Sequence, residues 1–69
     1  MKYVELNSFL KAKGLADTGG QAKLLIRAGK VQVNSETETR NKRKLIAGDK
    51  IKVNDNIFVV SEDECRLNK

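Results

Sequence analysis

The 69-residue sequence contains no histidine, no proline, no tryptophan and a single cysteine, Cys65. Without histidine there is no imidazole to act as a base or metal ligand. Cys65 also lacks a group that would activate its thiol and an internal partner for a disulfide. Three separated carboxylates, Asp17, Asp49 and Asp55, lie in predicted turns, where they ordinarily hydrogen-bond to the backbone. We therefore expect no enzyme activity, no catalytic residue, no metal site and no cofactor.

Long apolar runs are absent as well, since no stretch approaches the roughly 20 residues needed to cross a bilayer. The opening "MKYVELNSFLKAKG" lacks the apolar segment and the small-residue cleavage site of a signal peptide. These absences predict a cytoplasmic protein with no membrane partner. A chain of this length makes one domain, which we expect at residues 1–60, and residues 61–69 are predicted to be a frayed tail with an incidental thiol at Cys65.

Positive charge is what the sequence has in excess. Lys and Arg number 14 against 9 Asp and Glu, which gives a net charge of +5 and a pI of about 9.6. Three of the acids, Glu62, Asp63 and Glu64, lie in the last nine residues, so residues 1–60 carry 12 basic and 6 acidic groups. A surplus of this sign favours a polyanionic partner.

Apolar spacing predicts a short amphipathic helix near the N-terminus. Leu6, Phe9 and Leu10 stand at positions i, i+3 and i+4, which places them on one face of a helix. Asn7 is a suitable N-cap for this helix, and Gly14 is a suitable C-terminal stop.

A capping signal predicts a second helix. Thr18 and Gln21 have the T-x-x-Q spacing of a capping box, in which the hydroxyl and the amide each satisfy a free backbone N–H. The helix should end at Gly29, because glycine adopts the left-handed backbone that follows many helices. The predicted core positions of this helix are Ala22, Leu25 and Ile26.

After Gly29 the hydrophobic period changes from that of a helix to that of a strand. Val31 and Val33 alternate with polar residues in "KVQVN", and Asn34 with Ser35 marks a turn. The segments "ETETR", "KLIAGDKIKV" and "IFVV" bring the count to about four short strands, which are antiparallel because their connections are short. The predicted fold class is α+β, with two N-terminal helices packed on a small curved antiparallel sheet.

The ordered pattern "GGQAKLLI...G.V.VN......KL..GD" resembles the S-four domain, a small RNA-binding domain named after ribosomal small-subunit protein four. The resemblance covers about residues 1–60 and is closest to the short, stand-alone bacterial members. It implies the αL motif, with RNA bound along the second helix, its leading turn and the adjoining strand loop. The residues that carry the resemblance are Leu6, Phe9, Leu10, Gly14, Ala22, Lys23, Leu25, Ile26, Gly29, Val31, Val33, Asn34, Lys44, Leu45, Gly48 and Asp49.

The sequence departs from the wider family pattern at two positions. Gly19 stands where a basic residue often follows the hydroxyl residue of the second helix, so one phosphate ligand implied by the resemblance is missing. Ser35 stands where the turn usually has glycine, and a left-handed backbone at serine carries some strain. The second departure concerns the detail of the hairpin and leaves the predicted fold unchanged.

Two groups of residues are candidates for contact with RNA. Free N–H groups at the start of a helix attract phosphate, and Gly19 and Gly20 would let a nucleic-acid backbone come close; alternatively, these glycines allow close packing on the first helix. The run "RNKRK" has four cations in five residues, which alone is typical of a solubilising loop. Together with cations of the helices, the two groups would form one basic strip. The predicted RNA-binding residues are Lys11, Lys13, Thr18, Gly19, Gly20, Gln21, Lys23, Arg27, Lys30, Arg40, Lys42, Arg43 and Lys44.

The scarcity of aromatic residues limits how RNA could be recognised. Phe9 and Phe58 are in phase with apolar neighbours and are predicted in the core, whereas Tyr3 is open as a base-stacking residue. Without a stacking platform, recognition of structured RNA by shape and phosphate position is favoured over the reading of single strands.

The resulting hypothesis is a stand-alone module that binds structured RNA in translation or ribosome assembly. Its expected partners are ribosomal RNA, tRNA-like RNA or ribosomal particles, with no small-molecule substrate. The alternative is a protein-interaction adaptor that docks the same basic strip on an acidic protein and binds little RNA. DNA binding is disfavoured, because no predicted helix resembles a recognition helix with base-reading side chains.

Overall fold

The computed structural model describes residues 2–65 and the strand Leu67–Asn68, whereas Met1, Arg66 and Lys69 lie outside the described residues. The α+β class that the sequence predicts is confirmed. In chain order the elements are β1 (Lys2–Glu5), α1 (Leu6–Ala12), α2 (Gly19–Arg27), β2 (Val31–Val33), β3 (Glu36–Thr37), β4 (Lys44–Leu45), β5 (Lys50–Val53), β6 (Asn56–Val59), a 3-10 helix (Glu62–Glu64) and β7 (Leu67–Asn68).

The larger sheet has four antiparallel strands in the order β3-β2-β5-β6. In its centre Val31 lies opposite Val53, and Val33 lies opposite Ile51. These four side chains are buried, because alternation along each strand directs every second residue to the core. The predicted four-stranded antiparallel sheet is therefore confirmed, although β3 is shorter than the segment "ETETR".

A second sheet was not predicted from the sequence. β1 lies between β4 and β7 and pairs antiparallel with both, so the order is β4-β1-β7. Four residues are too short for a recognisable alternation, and the partners of β1 are distant in the sequence. As a consequence Lys44 and Leu45 belong to this second sheet, and not to the strand that follows Gly48.

The start of α1 differs from the prediction. Its N-cap is Glu5, which makes no side-chain cap, and Asn7 lies inside the helix. The free N–H groups are satisfied instead by a distant loop: Leu6 donates to the Arg43 carbonyl at 2.8 Å, and Asn7 donates to the Asn41 carbonyl at 3.1 Å. The prediction of Asn7 as the N-cap is wrong. It considered only neighbouring residues, whereas the groups that cap α1 come from another part of the chain.

The limits of α2 agree with the prediction. Thr18 is the N-cap, and its Oγ1 accepts from the Gln21 N–H at 3.1 Å. Gln21 Oε1 accepts from the N–H of Asp17 at 2.8 Å, one residue before the position that a capping box would use. The helix ends at Arg27, and Gly29 has the left-handed φ of +75° expected at its stop.

The turn between β2 and β3 has the left-handed backbone expected from the sequence. The φ angle is +52° at Asn34 and +72° at Ser35. The Asn34 side chain offsets part of the strain, because its Oδ1 accepts from the Lys50 N–H at 3.0 Å and its Nδ2 donates to Asp49 at 3.1 Å. Asp49 also accepts from the Ile46 N–H at 3.0 Å, so this carboxylate has the backbone-binding role predicted for it.

One hydrophobic core joins both helices to the sheet. Phe9 is fully buried in it, and Phe58 is partly buried against it, as predicted. Leu25 also packs against the core without being fully buried. The fully buried side chains include Leu6, Phe9, Leu10, Ala22, Ile26, Val31, Leu45 and Ile51. The predicted faces of α1 and α2 are thus the faces that they bury.

The segment 61–65 is ordered, so the expectation of a frayed tail is wrong for these residues. The Glu64 carboxylate accepts from both the N–H and the hydroxyl of Ser61 at 3.0 Å, which closes a capping box. The other Glu64 oxygen lies 2.9 Å from Lys13 Nζ. Cys65 is only 4 % exposed. Of the remaining tail, Arg66 and Lys69 lie outside the described residues.

We expect Ile26→Ala to lower the free energy of unfolding by about 2–5 kcal/mol, because Ile26 is fully buried and its truncation leaves a cavity. Leu24→Ala is the matched control. Leu24 is 71 % exposed, so the change should stay within about 0.5 kcal/mol. Urea unfolding of both variants measures the difference, and equal midpoints would show that the helix buries another face.

Candidate nucleic-acid interface

The loop between β3 and β4 is organised by a buried carboxylate, that of Glu38. The Glu38 N–H donates to the Val31 carbonyl of β2 at 2.9 Å, and the residue is 7 % exposed. One carboxylate oxygen accepts from the backbone N–H and the Nε of Arg40, both at 3.0 Å. The other accepts from Arg40 Nη2 at 3.2 Å and from Arg43 Nη1 at 2.6 Å. A single acid therefore holds two of the four cations of the basic run.

Hydrogen bonding to arginine keeps Glu38 ionised although it is buried. The side-chain hydrogen bonds from Arg40 are the largest cause, and burial acts in the opposite direction. Hydrogen bonds from the Arg40 backbone and from Arg43 add to the first effect, and together they lower the pKa of Glu38 from 4.5 to about 2. The same contacts raise the pKa of Arg40. At neutral pH the cluster is a carboxylate between two guanidinium groups.

The four cations of the loop surround one shallow depression of about 420 Å³, which we call the basic depression. The Arg40 side chain is 72 % exposed and the Arg43 side chain 34 % exposed, so both reach solvent while they bind Glu38. Four residues predicted as RNA contacts are thus brought together on one surface. The lining residues are Arg40, Lys42, Arg43 and Lys44.

Tyr3 lies beside the basic depression but is not open to a base. Its residue exposure is only 6 %, and the Lys44 ammonium lies 5.0 Å from the centre of its ring. This cation–π contact places Lys44 against β1. The expectation that Tyr3 could stack on a base is therefore wrong, since its ring is already covered.

The two glycines that begin α2 have no packing role. A Cβ at Gly19 would meet no atom within 4 Å, and one at Gly20 would meet only Thr18 Oγ1 at 3.7 Å. Neither glycine has a positive φ. Close packing on α1 does not explain them, so that alternative is wrong. The Thr18 hydroxyl accepts from the Gln21 N–H, whereas the N–H groups of Gly19 and Gly20, in the same first turn of α2, have no acceptor among the described residues.

Three further predicted contact residues, Thr18, Gln21 and Lys13, have partners within the protein. The Thr18 and Gln21 side chains form the cap of α2. Lys13 pairs with Glu64 at 2.9 Å, and its ammonium also lies 5.5 Å from the Phe9 ring centre. Burial acts to raise the pKa of Glu64, but the hydrogen bonds from Lys13 and Ser61 outweigh it and lower that pKa. The charge of Lys13 is therefore largely balanced by the ordered tail segment.

The other cations among the predicted contact residues are exposed, three of them on the two helices and one, Lys30, between α2 and β2. Lys11 is in the last turn of α1, and Lys23 and Arg27 lie one turn apart on α2. Lys30 lies with Lys52 at a second, smaller depression of about 220 Å³. This last proximity was not expected from the sequence, and it arises because β2 pairs with β5.

Glu38 is the main residue that sequence reasoning missed. In "ETETR" the two acids Glu36 and Glu38 have the same parity along a strand, so alternation could not tell which of them is buried. Glu36 lies in β3 and is exposed, whereas Glu38 follows the strand and turns inward. The signal available in the sequence was its position, since Glu38 is an acid just before the basic run "RNKRK" and could pair with its arginines.

Within residues 2–65 and 67–68, no group of three His, Cys, Asp or Glu side chains is placed to hold a metal ion. The thiol of Cys65 is buried, and burial is the main cause that raises its pKa, which disfavours the reactive thiolate. No helix in this part of the chain has the length and apolar character needed to span a membrane.

A helix pair packed on a small antiparallel sheet is the architecture that the resemblance implied. The model of the S4 domain family matches residues 1–61, and the chain therefore belongs to this family. The expected S-four resemblance is confirmed. This family is one of RNA-binding domains and not of enzymes.

Two relatives named YbcJ, from Escherichia coli strain K12 and from Shigella flexneri, are each 44 % identical to the chain over 46 residues. The match spans 67 % of this chain and 66 % of each relative, just under two thirds of their length. The solution structure of E. coli YbcJ matches with a TM-score of 0.66 and 34 % identity, over 88 % of this chain and 77 % of YbcJ. That structure contains an αL motif involved in RNA binding.

The lowered pKa of Glu38 makes stability depend on acid pH. The carboxyl binds protons less readily in the folded state, so its contribution is complete above about pH 4.5 and is lost as the pH falls towards about 2. The difference in unfolding free energy between the wild type and Glu38→Gln should therefore shrink over this range. Urea unfolding at several pH values measures it, with exposed Glu36→Gln as the control that keeps the wild-type profile. A difference independent of pH would contradict the ionised cluster.

Proposed function

We propose that the chain is a non-catalytic module that binds structured RNA, of the ribosomal or tRNA-like kind, in translation or ribosome assembly. The observation that carries the proposal is the basic depression, where two arginines and two lysines surround one open surface. Membership of the S4 domain family and the RNA-binding αL motif of E. coli YbcJ support it. A role with ribosomal particles would place the protein in the cytoplasm.

The chemistry of the depression suits a phosphate backbone. Arginine presents several N–H donors in a plane and grips a phosphate through two of them, whereas lysine contributes a hydrated point charge. With Tyr3 covered and Phe9 buried, the described surface has little aromatic area for stacking. Recognition would therefore depend on where phosphates lie in a folded RNA, and not on unstacked bases.

A second contact is proposed at the start of α2. The open N–H groups of Gly19 and Gly20 carry partial positive charge, which favours an approaching phosphate. Lys23 and Arg27 follow on the same helix, and Lys11 is exposed in the last turn of α1. We propose that these groups and the basic depression contact one RNA molecule as a strip.

Crosslinking in cells, followed by stringent purification and sequencing of the attached RNA, tests this function. We expect enrichment at a defined site of ribosomal RNA, and we expect Arg27→Ala with Lys42→Ala to abolish it. The control is Lys2→Ala with Lys50→Ala, which removes the same charge from exposed residues outside the predicted contacts. Equal recovery from both double variants would contradict the strip. RNA at background for the wild type, with an acidic protein crosslinked instead, would favour the adaptor hypothesis.

Gly19→Ala should have opposite effects on stability and on binding. Because Gly19 has open space around its Cα and no positive φ, alanine should raise the free energy of unfolding by about 0.4–1 kcal/mol. The new methyl group would stand where we propose that a phosphate approaches, so RNA affinity should fall. Thermal unfolding and a filter-binding titration measure the two effects, and a stabilised variant with unchanged affinity would exclude this contact.

A further inference from the structure

The two arginines that line the basic depression, Arg40 and Arg43, are held by an acid, Glu38, which is unexpected for a surface that attracts RNA. A carboxylate repels phosphate, and its burial is costly unless charged partners compensate. We propose that Glu38 is a positioning residue for RNA binding, whose carboxylate holds the Arg40 and Arg43 guanidinium groups in the orientation that receives a backbone phosphate. This inference rests on the proposed function and adds to it a residue that does not itself touch the RNA.

The hydrogen bonds of Glu38 fit a positioning role. Both carboxylate oxygens are occupied by arginine donors, at distances from 2.6 to 3.2 Å. Arg40 binds through two side-chain nitrogens, so its guanidinium plane is fixed relative to the carboxylate. Glu38 is itself fixed, since its N–H bonds to β2 and its side chain is 9 % exposed. The orientation of the arginines is therefore tied to the sheet.

The same loop is fixed at a second place. The carbonyl groups of Asn41 and Arg43 accept the free N–H groups at the start of α1, at 3.1 and 2.8 Å. Arg43 Nε also donates to the Lys44 carbonyl at 3.4 Å. Because the loop backbone and the arginine side chains are both held by hydrogen bonds, the arginines lose little conformational entropy when a ligand binds. Such preorganisation strengthens binding because the ordering has already taken place.

Enough donors remain for a phosphate. A guanidinium has five N–H donors. Arg40 uses two of them on Glu38, and Arg43 uses one on Glu38 and one on the Lys44 carbonyl. The unused donors belong to side chains that are 72 % and 34 % exposed. Glu38 thus occupies one side of each guanidinium group and leaves the rest available in the basic depression.

Removal of the Glu38 charge distinguishes two explanations of RNA binding, because they predict opposite changes in RNA affinity. If the protein attracted RNA only through its overall field, Glu38→Gln would add one positive charge and tighten binding. If Glu38 positions the arginines, the same variant binds more weakly although its net charge is higher. Glu36→Gln provides the matched control, since it makes the same charge change two residues away at an exposed site.

The experiment titrates the full chain with purified ribosomal RNA at several salt concentrations. We expect Glu38→Gln to bind about tenfold more weakly than the wild type, and the slope of log affinity against log salt to fall by about 0.7–0.9 for each phosphate that the variant no longer binds. Glu36→Gln should bind as tightly as the wild type or slightly tighter. The salt slope, measured on folded protein, reports how many phosphates are bound and would not change through a purely structural role.

A second variant guards against loss of folding in Glu38→Gln. Arg40→Lys with Arg43→Lys keeps the charge of the loop and keeps cations beside Glu38, but it removes the fixed planar groups. It should also lose affinity by about tenfold. The inference would be overturned if Glu38→Gln bound RNA as tightly as the wild type. If Glu38→Gln does not fold, the same result for the double lysine variant would overturn it. Absence of RNA binding by the wild type would overturn the proposed function, and the inference with it.

Discussion

The buried negative charge of Glu38 has to be compensated, and much of the surrounding surface depends on how this is done. A carboxylate removed from water is stable only when paired and hydrogen-bonded, and the available cations are Arg40 and Arg43. Their contacts shape the loop into a turn whose carbonyl groups cap α1. The basic depression, the start of α1 and the end of β3 are therefore parts of one hydrogen-bonded arrangement.

Ion pairing also reduces the share of the net positive charge that is available to attract a partner. The sequence shows an excess of positive charge in residues 1–60, but in the structure Lys13 is balanced by Glu64, and Arg40 and Arg43 share Glu38. Pairs of this kind reduce the long-range field and increase local order. Affinity for a polyanion would then depend more on the geometry of a few donors than on the total charge, which fits recognition of a folded RNA by the positions of its phosphates.

Local signals predicted a large part of this fold, and long-range contacts account for what they missed. The Thr18 cap, the buried face of α2 and the hairpin after Val33 are encoded by residues close together in the chain, and the structure has them where the sequence placed them. β1 was missed because its partners are distant strands. Of the candidate site, four loop cations were predicted and found together, but Glu38 could not be singled out, since its burial depends on arginines and strands that meet only in the fold.

The positions of glycine in the chain do not all follow from the needs of the fold. At Ser35 the backbone has a φ of +72°, which glycine would adopt more easily. The neighbouring Asn34 side chain helps to hold the turn, because it accepts a hydrogen bond from the Lys50 N–H and donates one to Asp49. At Gly19 and Gly20 neither the backbone angle nor the packing requires glycine. Glycine weakens a helix, so these two residues have no explanation within the fold. The phosphate contact that we propose would explain them, because a side chain at these positions would cover the N–H groups that attract the phosphate.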